Sequence, residues 1–200
     1  MVYILVVWCL FRGQAFGTRH PCPHVDSVDV STVVYVPPEE IFEFLMDFPG
    51  YARYSKYLKD VAQQGDGSPG TKYALRFAWW KLSYTARSEV IAIDRPTEID
   101  WKITKDLHAT GHWRITPLPD EIPDGEDHAC EVRLTVEFDP GSASSDALDL
   151  PRLVSMDWVI EKVKPLIQEE AERVVERIVA DLEGCRREVE LTIHTSPDAV

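Results

Sequence analysis

The chain has 200 residues, 44% of them hydrophobic, which suits one domain with one sizeable core. With 34 acidic against 21 basic residues the formal net charge is −13, which works against any role built on attraction to nucleic acid phosphates or anionic lipid surfaces. The acids are spread through loops and outward strand positions, a solvation pattern that fits a salt-rich cytoplasm and an ordinary acidic protein alike.

Met1 to Phe11 is apolar but shorter than the roughly 20 residues that span a bilayer, so no stable membrane insertion is expected. It lacks the basic n-region and the small-residue cleavage site of a signal peptide, and reads instead as an upstream extension or a misplaced start. Residues 12–23 carry Gly, Pro and polar side chains and form an irregular lead-in, so residues 1–24 are set apart and the domain begins near Val25. His20, Cys22 and His24 would point the same way from an extended chain, a soft-metal donor set with no fourth ligand nearby. The alternative is a Pro-stiffened linker with incidental His and Cys, and no metal is assigned. Cys9, Cys22, Cys130 and Cys185 follow no CxxC spacing, which leaves reduced thiols in a cytoplasm as the expectation.

From Val28 to Val36 the even positions are Val28, Val30, Thr32, Val34 and Val36, the period of a half-buried strand. Pro37 and Pro38 end it, and Pro38, Glu39 and Glu40 open a short helix whose apolar face is Ile41, Phe42, Leu45 and Met46. Asp47, Pro49 and Gly50 break that helix, and Tyr51 to Tyr57 reads as a second short one. A succession of strands follows. Val61 opens a short strand; Tyr73, Leu75, Phe77 and Trp79 alternate with Ala74, Arg76 and Ala78; and Leu82, Tyr84, Ala86, Ser88 and Val90 alternate with polar residues. After a turn at Asp94 to Pro96 come Ile99, Trp101 and Ile103, then Gly111, Trp113 and Ile115, a Pro-bearing loop from Pro117 to Asp127, and Val132, Leu134, Val136 and Phe138. Strands at hairpin distances imply an antiparallel meander.

Met156 to Leu182 repeats apolar residues at Val159, Val163, Leu166, Ile167, Ala171, Val174, Val175, Ile178 and Leu182, one wide stripe on a long amphipathic helix. Glu172, Arg173, Glu176, Arg177 and Asp181 fall on its solvated face. Asp157 or Ser155 caps its start, Gly184 suits its C-terminal cap, and Pro165 bends it. Residues 185–200 form a C-terminal tail with a brief Val189, Leu191, Ile193 alternation.

The resulting fold class is α+β: a curved antiparallel sheet of about six to seven strands wrapped on a long C-terminal helix, with two short helices after the first strand. A strongly curved sheet does not always fill its own concavity, and such a gap is a pocket. The expected lining is Tyr73, Phe77, Trp79, Tyr84, Trp101, Trp113, Leu134 and Phe138 from the strands, with Val159, Val163 and Ile167 from the helix. These rings and aliphatics suit a large apolar ligand, or they simply fill the core. No nucleophile, metal cage or phosphate loop stands out, so no catalytic residue or cofactor is assigned. His108 and His112 lie about 13 Å apart along one strand face, too far for a close pair, and His112 and Arg114 face outward. Trp79 and Trp80 are adjacent and face opposite sides of a regular strand, which would leave one of them outside the hollow.

The stretches VPPEEIFEFLMDFPGYARY and RFAWWKLSYTARSEVIAID, the strand pair around DWKI and GHWRITPL, and the terminal helix resemble the START-like, helix-grip superfamily called SRPBCC. The resemblance covers residues 25–184 and includes the pattern P-x-E-x-I/V-F-x-x-x-x-D-x-x-x-Y ending at Tyr51. It is strongest to the polyketide cyclase/dehydrase and lipid-transport group, including coenzyme Q-binding START proteins. It implies a hydrophobic small molecule as partner, held between the sheet and the last helix. Three roles follow: a carrier or sensor of a lipid, isoprenoid quinone or polyketide-like molecule; a cyclase or dehydratase using the same cavity; or a protein-interaction module. Oligomeric state is left open.

Overall fold

The computed structural model describes residues 25–79, 82–139, 142, 170 and 172–195, without the side chains of Trp79, Leu82 and Thr195. Among the described residues eight antiparallel strands make one sheet: β1 (Asp26–Val34), β2 (Leu58–Gln64), β3 (Lys72–Trp79), β4 (Leu82–Asp94), β5 (Glu98–Ile103), β6 (His108–Pro117), β7 (Cys130–Asp139) and β8 (Thr192–Thr195). Their order is β2-β3-β4-β5-β6-β7-β1-β8. The meander from β2 to β7 joins neighbours in sequence, and β1 crosses to pair with β7 over its whole length, from Asp26 opposite Phe138 to Val34 opposite Cys130.

Alternation decides which face is covered. Odd residues of β5 and β6 and even residues of β7 are buried, making a near-continuous inner row of Ile99, Trp101, Trp113, Ile115, Val132, Leu134, Val136 and Phe138. The other face carries cross-strand polar pairs: Arg114 to Glu98, His112 to Asp100, and Arg133 to Asp29, where the guanidinium Nε donates to Oδ1 at 2.8 Å. Pairs of this kind on a wet face keep the strands in register more than they stabilise the fold. Register shifts between Val90 and Ala92 and between Leu58 and Asp60 mark bulges, which bend and twist a sheet.

Gly111 is what lets the inner row close. It stands opposite Trp101, and a Cβ there would lie 1.9 Å from the indole Cζ2, so only a glycine allows the ring to lie flat across β6.

Helix α1 (Pro38–Met46) begins as its sequence dictates, with proline and two acids in the first turn, and buries Ile41, Phe42 and Leu45. The helix expected from Tyr51 to Tyr57 is instead a 3-10 helix at Phe48–Arg53. The Asp47 carboxylate accepts the Gly50 N–H and Tyr54 N closes back on the Tyr51 carbonyl, so the turn tightens early and the chain is free to enter β2 at Leu58. Rings pack around this turn: Phe44 of α1 meets Tyr54 edge-on at 5.5 Å, and Phe48 stacks on Tyr73 of β3 at 4.3 Å.

At the C-terminal end, residue 170 and residues 172–183 are helical, and Gly184 follows with φ +69°, the left-handed cap expected of it. Val174, Val175 and Val179 join the same buried cluster as the inner sheet face. The rest of the expected helix, with Val159, Val163, Ile167, Pro165 and the caps at Ser155 and Asp157, lies outside the described residues, as do residues 1–24 with His20, Cys22 and His24, and Trp80.

The strand count is a correction. Thr192–Thr195 adds an eighth strand against β1, from a stretch expected to be a C-terminal tail with only a brief alternation. The segment leading to it is clipped down: Arg187 Nη2 donates to the Val33 carbonyl at 2.6 Å and to Glu183 at 2.7 Å, its guanidinium lies 4.3 Å from the Tyr35 ring centre, and Thr32 Oγ1 donates to the Glu190 carbonyl. Those anchors are single side chains, invisible to a hydropathy pattern. Among the described residues no helix is long and apolar enough to cross a membrane.

Candidate functional site

A cavity lies between the inner face of the sheet and the C-terminal helix. The sheet contributes Thr32 and Val34 of β1, Phe77 of β3, Trp113 of β6 and Val132 of β7. Ile41, Phe44 and Leu45 of α1 form a second wall, and Tyr51, Tyr54, Ser55 and Leu58 a third. The helix closes it with Val174, Val175, Ile178, Val179 and Leu182, residues three and four apart that share one face. The described walls enclose about 50 Å³. On this measure one water needs about 10–15 Å³, so the space takes a few waters or one end of a larger molecule.

The polar groups in these walls are mostly committed. Tyr51 donates its hydroxyl to the Leu45 carbonyl, and Ser55 Oγ accepts from the Tyr57 and Leu58 amides. Tyr54 donates to Asp181 Oδ2 at 2.6 Å. Burial first, then that hydrogen bond and the Asp181 charge, push the Tyr54 phenol up to about 12. The Tyr54 carbonyl accepts from Arg177 at 2.6 Å. Arg177 and Asp181 are exposed, as expected of the solvated helix face, and from there they also hold the tyrosine wall to the helix.

Glu170 ties the same stretch to the helix at Lys56: its buried carboxylate accepts the Lys56 amide at 2.8 Å and lies 3.5 Å from Lys56 Nζ. Glu170 was missed by sequence reasoning. The available signal was its position four residues before Val174, which puts it on the buried stripe.

Trp113 differs from the other wall groups. The ring lines the cavity and is 2% exposed, and its Nε1 is buried with no hydrogen-bond partner among the described residues. The hydroxyls of Tyr73 and Tyr84 on the same sheet face are also buried without a partner among the described residues, and burial raises both phenols. Of the residues named from sequence, Phe77 and Trp113 line the described cavity. Tyr73, Tyr84, Trp101, Leu134 and Phe138 are buried on the same face beside it. The Trp79 side chain and Val159, Val163 and Ile167 lie outside the described residues. The walls contributed by α1 and by residues 51–58 were not foreseen, because alternation along strands says nothing of which helix residues a concave sheet will meet.

His112, on the opposite face, is held between Asp100 and Glu98, away from the cavity. Among the described residues no group of three or more His, Cys, Asp or Glu is placed to hold a metal ion.

No curated protein matches this sequence. Among solved structures, Ara h 8.0201 aligns with 17% identity over 80% of this chain and 99% of its own, at a TM-score of 0.53. The Zhui aromatase/cyclase from Streptomyces sp. R1128 aligns with 20% identity over 80% of this chain and 94% of its own, at a TM-score of 0.55. At these identities both establish a shared fold. The profile of the family described as polyketide cyclase / dehydrase and lipid transport matches residues 26–179, from β1 through β7 and into the C-terminal helix, with β8 beyond the match. The chain therefore belongs to the polyketide cyclase / dehydrase and lipid transport family, within the START-like SRPBCC superfamily.

Proposed function

We propose that this protein binds an apolar small molecule, a lipid, isoprenoid quinone or polyketide-like compound, between its sheet and C-terminal helix, and carries or senses it without transforming it. One observation carries the reading: the described cavity is walled by aliphatic and aromatic side chains, and the hydroxyls among them are engaged with fixed protein partners. A site of this kind gains affinity from apolar area removed from water, about 25 cal/mol per Å², and offers no carboxylate, imidazole or thiol among its described walls to move a proton. The unit doing this is taken as residues 25–184, which encloses the family match. The free thiols of Cys130 and Cys185 fit a reducing cytoplasm as its location.

A cyclase or dehydratase working in the same cavity is the second reading, favoured by the family description and by the aromatase/cyclase among the structural neighbours. It requires an acid or base beside the ligand.

Binding is tested with an apolar fluorescent probe such as N-phenylnaphthylamine. The expected result is saturable binding to the wild type and at least tenfold weaker binding to Val175→Phe, which fills the cavity from the helix side while keeping the wall apolar. Equal binding by the two proteins would place the probe elsewhere and count against the reading.

A further inference from the structure

The outer face of the sheet, opposite the cavity, carries a groove of about 840 Å³, the size of a small-molecule site. Arg114 on β6 and Arg133 on β7 stand directly opposite each other in its floor. Like charges so placed repel, and each is held from outside the pair. Arg114 Nε donates to Glu98 Oε1 on β5 at 3.0 Å, while Arg133 donates from Nε and Nη2 to the two oxygens of Asp29 on β1. Across four strands the charges therefore read acid, base, base, acid, with two guanidinium groups as neighbours in the middle. Nη1 of each makes no contact among the described residues, and the two side chains are 55% and 37% exposed, so the pair is open to the groove. Strand pairing does not ask for this arrangement. A threonine, the residue at Thr110, Thr116 and Thr135 of the same groove, suits a strand and brings no repulsion.

We propose that this groove binds a small molecule through a phosphate group whose oxygens accept from Arg114 and Arg133 together. A carboxylate is matched by one arginine fork, as Asp29 is by Arg133. Two adjacent guanidinium groups match a dianion, and a phosphate monoester near neutral pH carries close to two charges and three acceptor oxygens. The acids around the pair set a limit on affinity. Asp29, Glu98 and Asp100 are engaged by Arg133, Arg114 and His112, but Glu131 and Glu137 also face the groove, and the chain as a whole carries −13. Binding is therefore local to the arginine pair, moderate in strength and weakened by salt. Ile91, half exposed in the same groove, offers the organic part of the molecule an apolar contact. The site is on the far side of the sheet from the cavity and stands independently of what the cavity binds.

Inorganic phosphate is the probe, titrated near neutral pH at constant low ionic strength with chloride as the balancing anion, and followed by the arginine Nε–H resonances. The Arg114 and Arg133 resonances of the wild type should shift saturably with phosphate, and acetate should bind about tenfold more weakly, because one carboxylate cannot serve both forks. Arg114→Gln, a change at an exposed side chain, should weaken phosphate binding about tenfold as read at Arg133, with the far-ultraviolet circular dichroism of the wild type retained. The wild-type shifts and the acetate comparison decide the matter if that variant does not fold. Shifts that rise without saturating, an equal response to acetate, or an affinity unchanged in folded Arg114→Gln overturns the inference. None of these results bears on apolar binding at the inner face.

Discussion

Gly111→Ala tests whether the inner face of the sheet is closed as described. The added Cβ would lie 1.9 Å from Cζ2, 2.1 Å from Cε2 and 2.5 Å from Cη2 of Trp101. Carbon atoms pack at about 3.5–4.0 Å, so ring and strand must part by roughly 1.5–2 Å. Trp101 is 1% exposed and has no open side to move into. Overpacking of a filled core costs about 1–3 kcal/mol, and replacing a strand glycine returns about 0.5–1 kcal/mol of it. A net loss of about 1–2 kcal/mol lowers the melting midpoint by roughly 2–8 °C in a domain of this size. Thermal unfolding followed by near-ultraviolet circular dichroism reads this directly. Trp101→Leu combined with Gly111→Ala should cost less than the sum of the two single changes, because the clash disappears with the ring. A Gly111→Ala protein that melts at or above the wild-type temperature would refute the packing argument.

Three further outcomes follow from individual contacts. Tyr54 holds its proton more tightly folded than unfolded, so its contribution is complete below pH 10 and is lost as pH rises toward about 12; urea midpoints should fall across that window, and less steeply in Tyr54→Phe. Asp29 is held below the ordinary carboxylate range chiefly by its hydrogen bond from Arg133, so it stabilises the fold above pH 3.8 and that contribution drains away as pH falls; Asp29→Asn should flatten the acid limb of a stability–pH curve. Glu170→Ala leaves the Lys56 amide without its acceptor and should cost about 1–3 kcal/mol in chemical denaturation, whereas Glu170→Gln, which can keep the amide's acceptor, should cost less.

The sheet was legible because burial on one face forces a two-residue period, and β5, β6 and β7 follow it position by position. The helical stripe at Val174, Val175, Ile178 and Leu182 was legible for the same reason with a different period. What periodicity does not carry is the set of single side chains that tie elements together. Arg187 fastens the C-terminal segment to β1, and Asp181, Arg177 and Glu170 fasten the 54–56 stretch to the helix. Each of these residues, read alone, is a charged residue on a polar stretch. The cavity shows the same division. Phe77 and Trp113 follow from strand phase, while Phe44 enters from α1 and Tyr51 and Tyr54 from the 3-10 turn and its end, whose packing depends on where the sheet curves.

Native mass spectrometry of the protein purified from its own host tests the central claim most directly. The account predicts a small apolar adduct, recoverable by organic extraction, that is present on the wild type and depleted on Val175→Phe. A wild-type protein that carries no such adduct, and that takes up no apolar molecule when offered one, would contradict it.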